Sequence, residues 1–241
     1  MILKPSKEAP LNAFILADII HDCGLPKGVF NLVSGHGREI GKSISSHPEV
    51  DMVSFTGSTA AGVSVSKEAS ETVKRVTLEL GGKSANIILD DADMVKAAKM
   101  SVYSCFNNSG QECSSLSRLL IPSSHREEII EVISSTMERY SVGDPMDESI
   151  KCGPMVSESQ QKSVSGYISK GISEGATIIS GGLGMPEGVS RGFYVKPTVF
   201  ADVTREMTIF REEIFGPVLS ISTYETVSYT HLRAHETDSY L

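Results

Sequence analysis

The sequence predicts an α/β protein built on a parallel sheet with helices on its faces. Short apolar runs that suit strands alternate with stretches whose apolar residues recur at helical spacing. The connections between them are short and rich in Gly and Pro, so strand, helix and next strand follow one another as in a crossover unit. Hydrophobic residues make up 40% of the 241, which supports a sizeable core and argues against general disorder.

The elements follow in order. Ile2 to Lys4 reads as a strand and Leu11 to Cys23 as a helix, with Leu11, Phe14, Ile15, Ala17, Asp18 and Ile19 forming a mostly apolar stripe. Gly24-Leu25-Pro26 stops that helix. Phe30 to Val33 is the next strand, and after a Gly35-His36-Gly37 turn a helix runs through Ile40 and Ile44 to Ser46. Met52 to Thr56 is a strand, and Ser58 or Thr59 can cap the helix that reaches Ala69. Arg75 to Glu79 is another strand. A second region starts near Gly81: strand Asn86 to Leu89, a helix capped by Asp93 through Met100 to Cys105, and strand Arg118 to Ile121. Helices Ser124 to Arg139 and Gln160 to Glu174 and strand Ala176 to Ile179 come next. Glycines 181, 182 and 184 with Pro186-Glu187-Gly188 mark an exposed loop.

The totals exclude several classes. With 22 basic and 30 acidic residues the net charge is -8, which disfavours a nucleic-acid backbone as partner. No apolar run approaches the ~18 residues of a membrane span. Cys23, Cys105, Cys113 and Cys152 show no CxxC spacing and no paired histidines, so no metal site is expected. Scattered cysteines suit free thiols in a reducing, cytoplasmic compartment.

Three segments carry chemistry. Phe55-Thr56-Gly57-Ser58-Thr59-Ala60-Ala61-Gly62 joins a strand to a helix. Gly57 permits a tight turn, and the helix start presents free N–H groups that suit a phosphate, with Ser58 adding a hydroxyl. An ordinary capped helix has the same appearance, so the turn gains its functional reading beside the other motifs. In Leu78-Glu79-Leu80-Gly81-Gly82-Lys83, Glu79 ends a strand, with a Gly pair leaving room near its carboxylate. It is a candidate general base or, alternatively, a surface strand residue. In Phe106-Asn107-Asn108-Ser109-Gly110-Gln111-Glu112-Cys113 one cysteine follows small and amide residues. Cys113 is the candidate nucleophile, the alternative being an inert buried thiol.

Together these motifs resemble the aldehyde dehydrogenase superfamily, over nearly the whole chain up to about Thr226. The resemblance implies a truncated aldehyde dehydrogenase-like fold: part of a Rossmann-like cofactor domain over residues 1–80, then an incomplete catalytic domain over 81–226. It implies an NAD(P)-dependent oxidation of an aldehyde to a carboxylic acid. Cys113 would form a thiohemiacetal and then a thioester, and Glu79 would activate the water that releases the acid. Asn108, Gly110 and Gln111 would support the loop and the oxyanion; the family's oxyanion asparagine precedes Met1. Cofactor contacts are implied for Lys4, Ser6, Lys7, Gly57, Ser58, Gly62, Leu80, Gly81, Glu213 and Phe215. Many NAD-using relatives carry Glu where Lys7 stands, so the choice between NAD and NADP stays open. The Leu-Glu-Leu-Gly-Gly pattern favours water over coenzyme A as acyl acceptor. Lys83 is followed by Ser84-Ala85 where the family usually has Ser-Pro, and Arg118 is expected to anchor structure. The parent protein is expected to be a homodimer or homotetramer acting on a small aldehyde.

Two further readings stand beside this one: an inactive fragment serving as a nucleotide-binding or interaction module, and a cysteine hydrolase with a His partner for its thiol. The chain itself is expected to be an internal fragment. Residues Val227 to Leu241 fit no family pattern, and Val227 to Thr237 back-translates to a common transposon sequencing adapter. This tail is therefore expected to be non-native, and His231 and His235 receive no functional reading.

Overall fold

The computed structural model describes residues 1–225; the adapter-like tail at 227–241 lies outside the described residues. The chain divides into two compact units, Met1–Gly81 and Gly82–Leu241.

The first unit alternates strand and helix: β1 (Ile2–Leu3), α1 (Leu11–Asp22), β2 (Asn31–Leu32), a π-helical turn (Gly37–Gly41) running into α2 (Lys42–Ser46), β3 (Met52–Gly57), α3 (Thr59–Ser70) and β4 (Arg75–Leu80). The strands pair in parallel as expected, β1 with β2 and β3 with β4, but as two separate ladders. Ser58 is the α3 cap: its Oγ accepts the Ala61 N–H at 3.3 Å. Helix α1 forms where its apolar period puts it, yet Leu11 is 74% and Ile15 57% exposed, and only Ala13 is buried. The two-residue strands β1 and β2 offer too little surface to cover that stripe.

The second unit holds a five-stranded sheet, in the order β5-β6-β9-β8-β7. Its elements are β5 (Ala85–Ile87), α4 (Met94–Phe106), β6 (Arg118–Pro122), α5 (Arg126–Met137), α6 (Glu158–Ser173), β7 (Thr177–Ser180), β8 (Thr198–Ala201), α7 (Thr208–Arg211) and β9 (Val218–Tyr224). Asp93 caps α4 by accepting the Lys96 N–H at 3.0 Å. The helix expected from Ser124 opens as a 3-10 turn, Ser123–His125, before α5. Two features correct the sequence reading. Strand β7 runs antiparallel to β8, so the sheet is mixed. Strands β8 and β9 and helix α7 have no counterpart among the expected elements.

Alternate residues of each strand feed two cores, because side chains leave a strand on opposite faces. Leu119, Ile121, Val199, Leu219 and Ile221 pack with Val102, Phe106, Ile129 and Ile133 of α4 and α5. Phe200 and Val218 pack with Val164, Ile168 and Ile209 of α6 and α7. The sheet is thereby clamped between helices on both faces. The segment entering β9 leads into the central strand of this sheet, and the loop leaving α4 follows a helix packed on its face.

Candidate functional site

Cys113 follows a loop with unusual backbone geometry. Asn108 (φ 48°), Ser109 (φ 57°) and Gly110 (φ 69°) are three consecutive left-handed residues. For Asn and Ser this region is sparsely populated, and it persists only where neighbours over-determine it. Here they do. Asn108 Nδ2 donates to Gln111 O at 3.3 Å, Ser109 Oγ donates to Gly153 O at 3.0 Å, and the Cys152 thiol donates to Ser109 Oγ at 3.4 Å. The Gln111 side chain bridges to the backbone after Gly153: its Oε1 accepts Val156 N–H at 2.8 Å and its Nε2 donates to Pro154 O at 3.3 Å. Asn107 Nδ2 donates to Glu112 Oε1 at 2.9 Å.

Gly110 joins this loop to the Glu213 segment. A Cβ on Gly110 would sit 2.3 Å from Gly216 O and 2.9 Å from Pro217 N, so only glycine allows the two backbones to approach. Phe215 is itself left-handed (φ 54°), and Gln160 Nε2 holds its carbonyl at 2.8 Å. Gly110→Ala in the full-length protein should therefore lower stability by about 2–4 kcal/mol, from overpacking plus a left-handed Cβ. Chemical denaturation measures this; a loss under ~0.5 kcal/mol would show that the two segments do not press together.

Cys113 is exposed and lines a narrow cleft with Glu112, Ser115 and Ser117, closed by Gly82 and by Glu213, Phe215 and Gly216. Sequence-distant candidates thus meet in one unit: the loop residues Asn108, Gly110 and Gln111, the thiol, and Glu213 with Phe215. Burial pushes the Glu213 carboxyl up, while the Gly82 N–H and Lys83 draw it back down. The other thiols differ from Cys113. Cys105 is fully buried and burial pushes it up to about 12, and burial raises Cys152 as well. Neither forms a useful fraction of thiolate at neutral pH. Cys23 is exposed, just past the end of α1 in the other unit.

In the first unit, β3 and β4 pair in register, Thr56 with Glu79 and Gly57 with Leu80. The exposed Glu79 and the Gly57-Ser58 turn therefore share the C-terminal end of one parallel strand pair, the end at which α/β sheets bind ligands. Ser58, Thr59 and Ala60 are exposed at the first turn of α3, which fits a phosphate-bearing cofactor. Gly62 is buried, and a Cβ there would meet Leu80 Cδ2 at 2.5 Å, so it lets helix and strand pack closely. Leu80 and Gly81 are half-buried at the end of β4. Lys4 Nζ donates to Pro5 O at 2.7 Å, Ser6 Oγ accepts Glu8 N–H at 3.2 Å, and Lys7 pairs with Glu8 at 2.7 Å. An exposed pair of this kind is weak and leaves Lys7 free to turn to another anion.

Sequence reasoning did not single out Ser109, Glu112, Cys152, Gln160 or Gly216. Their signal is tertiary, since each acts through a partner distant in sequence or through the turn itself. Lys83 had a local signal that carried no reading: a charge beside a Gly pair, between strand-like runs.

Comparison with known proteins agrees with this architecture. A model described as the aldehyde dehydrogenase family matches residues 1–238. A 3-succinoylsemialdehyde-pyridine dehydrogenase from a Pseudomonas species is 50% identical over 224 residues, which is 93% of this chain and 47% of the relative. A crystal structure of a cysteine-to-alanine mutant of aldehyde dehydrogenase C from Pseudomonas syringae, complexed with NAD+ and octanal, superposes with a TM-score of 0.92 at 47% identity. The match covers 93% of this chain and 46% of that one. The Mycobacterium tuberculosis aldehyde dehydrogenase complexed with NAD+ superposes with a TM-score of 0.90 at 48% identity, covering 94% and 46%. The chain thus spans about half the length of the relatives it matches. On the family match over nearly its whole length, this chain belongs to the aldehyde dehydrogenase family.

Proposed function

We propose that the full-length protein containing this chain oxidises an aldehyde to a carboxylic acid with NAD+ or NADP+, through a covalent intermediate on Cys113. The observation that carries the reading is the contrast among thiols. Cys113 alone combines exposure, a rigid left-handed approach and a cleft shared with a carboxylate, Glu213. Relatives named as dehydrogenases of aldehydes, two of them solved with NAD+, support the reaction class.

The Cys113 thiolate attacks the aldehyde carbon, forming a C–S bond and an oxyanion that the Cys113 backbone N–H can hold. A bound nicotinamide would supply the hydride acceptor. Loss of hydride from the thiohemiacetal carbon leaves a thioester on Cys113. Glu79 takes a proton from water, the resulting hydroxide adds to the thioester, and the C–S bond breaks to release the acid and the thiolate. Glu213 and Phe215 would hold the nicotinamide end of the cofactor, and Gly57 and Ser58 its pyrophosphate. Lys4, Ser6 and Lys7 would hold the adenosine ribose, where the Lys7 charge would attract a 2′-phosphate. Gly62, Leu80 and Gly81 shape the cofactor side by packing.

Among the described residues, no histidine lines the Cys113 cleft, which disfavours the cysteine-hydrolase reading. The test is reduction of NAD+ and NADP+ by the full-length protein with aliphatic, aromatic and amino aldehydes. Hydride transfer is expected with at least one class, and the isolated 241-residue chain is expected to show little or none. Absence of hydride transfer from the full-length protein, with thioester or amide hydrolysis in its place, would overturn the proposal.

A further inference from the structure

Lys83 is the least expected charge in the second unit. Its Nζ is buried and makes no hydrogen bond. An ammonium in that position is unfavourable unless a counter-charge faces it. The groups around it are the Cys105 thiol on α4, the Arg118 guanidinium on β6 and the Glu213 carboxyl. Arg118, stacked over the Phe210 ring at 4.8 Å, repels it. Cys105 attracts it only as a thiolate, and that thiol ionises near 12, well after Lys83 has lost its proton. At neutral pH this leaves one anion facing the amine, Glu213. The backbone N–H of Gly82, the residue next to Lys83, also draws the Glu213 carboxyl down, and Gly82 and Glu213 line the cleft with Cys113. Tyr167, which donates to the neighbouring Glu212 at 2.8 Å, completes the polar groups around it.

We propose that Lys83 is a positioning residue for Glu213: its buried charge, acting through space without a direct hydrogen bond, favours the ionised carboxylate at the wall of the Cys113 cleft, and so sets the affinity of the site for the cofactor ribose. The cofactor part rests on the dehydrogenase reading; the Lys83–Glu213 pair does not. Burial lowers Lys83 from an ordinary 10.5 to about 8, so the assistance is present below that pH and fades above it. The same burial works against stability. Because the folded state holds the lysine proton less tightly than the unfolded one, the burial penalty is complete below about 8 and disappears as pH rises towards 10.5.

The experiment uses the full-length protein with Lys83→Met, Lys83→Arg and Glu213→Gln. In cofactor-free protein, 13C-glutamate spectra, with Glu213→Gln identifying the signal, should show Glu213 titrating and then shifting again as Lys83 deprotonates. Lys83→Met should remove the second shift and raise the Glu213 midpoint. NAD+ affinity measured by calorimetry should fall about tenfold in Lys83→Met near pH 7 and converge on wild type above roughly pH 9. Lys83→Arg should recover most of it near pH 7. Lys83→Met should also melt at a higher temperature than wild type near neutrality, an advantage that shrinks as pH rises. A lysine that is merely buried would give the same stability gain, but neither the second Glu213 shift nor the convergence in affinity. Wild-type Glu213 with no second shift, or a binding loss independent of pH, overturns the proposal. Should Lys83→Met not fold, the wild-type titration and Lys83→Arg decide alone. An intact Glu213 coupling in a protein that does not bind NAD+ would instead indict the dehydrogenase reading.

Discussion

Replacing Cys113 by Ala in the full-length protein should abolish aldehyde oxidation, by a factor on the order of 10⁴ or more, while cofactor affinity stays within a few fold. The effect is large because the thiol forms the bond on which every later step depends. It is clean because the loop does not lean on that side chain. Its shape comes from Ser109 on Gly153, Gln111 on Pro154 and Val156, and Gly110 against Gly216. Cys113→Ser is the sharper comparison, since it keeps a polar atom in place but ionises far less readily than a thiol. Two measurements check the expectation: reduced-cofactor formation, and mass spectrometry of a quenched reaction for an acyl adduct on the Cys113 peptide. Alkylation gives an independent reading, with Cys23 and Cys113 modified in the native state and the buried Cys105 and Cys152 protected. A Cys113→Ala protein retaining a tenth of the wild-type rate would remove the thiol from the mechanism.

Much of the scaffold was legible because its signals are local. Ser58 and Asp93 announce helices α3 and α4 by the chemistry of their caps, and both make the expected bond. The strand–turn–helix at Gly57 follows from a glycine between an apolar run and a capping serine. Strands β8 and β9 were not legible. Thr198–Ala201 is buried at every position and Val218–Tyr224 at its first five, so neither shows the alternation that marks a half-exposed strand. The antiparallel β7–β8 pairing is likewise set by the long excursion between them, which no local period records. At the candidate site the residue types were readable but their meeting was not. Asn-Ser-Gly tolerates a left-handed turn; what imposes it is Gly153, 44 residues beyond Ser109. The contact of Gly110 with Gly216 and the burial of Lys83 are tertiary facts of the same kind.

Replacing Glu79 by Gln should separate the two halves of the proposed reaction. Gln keeps the size and hydrogen-bonding reach of the side chain but cannot take a proton from water. Loss of a general base slows its own step by roughly 10²–10⁴ and leaves other steps nearly untouched. The full-length Glu79→Gln protein should therefore release about one equivalent of reduced cofactor per active site in a burst and then turn over slowly, with the thioester accumulating on Cys113. The remaining hydrolysis would depend on hydroxide from solution, so it should rise about tenfold per pH unit where wild type is flatter. A hydroxylamine quench would trap the accumulated acyl group as a hydroxamate and count it. Slowing of the burst itself, with no acyl-enzyme detected, would move Glu79 to the earlier step, as the group that draws the proton from the Cys113 thiol. A variant with wild-type kinetics in both phases would make Glu79 the exposed strand residue that its place on β4 also allows.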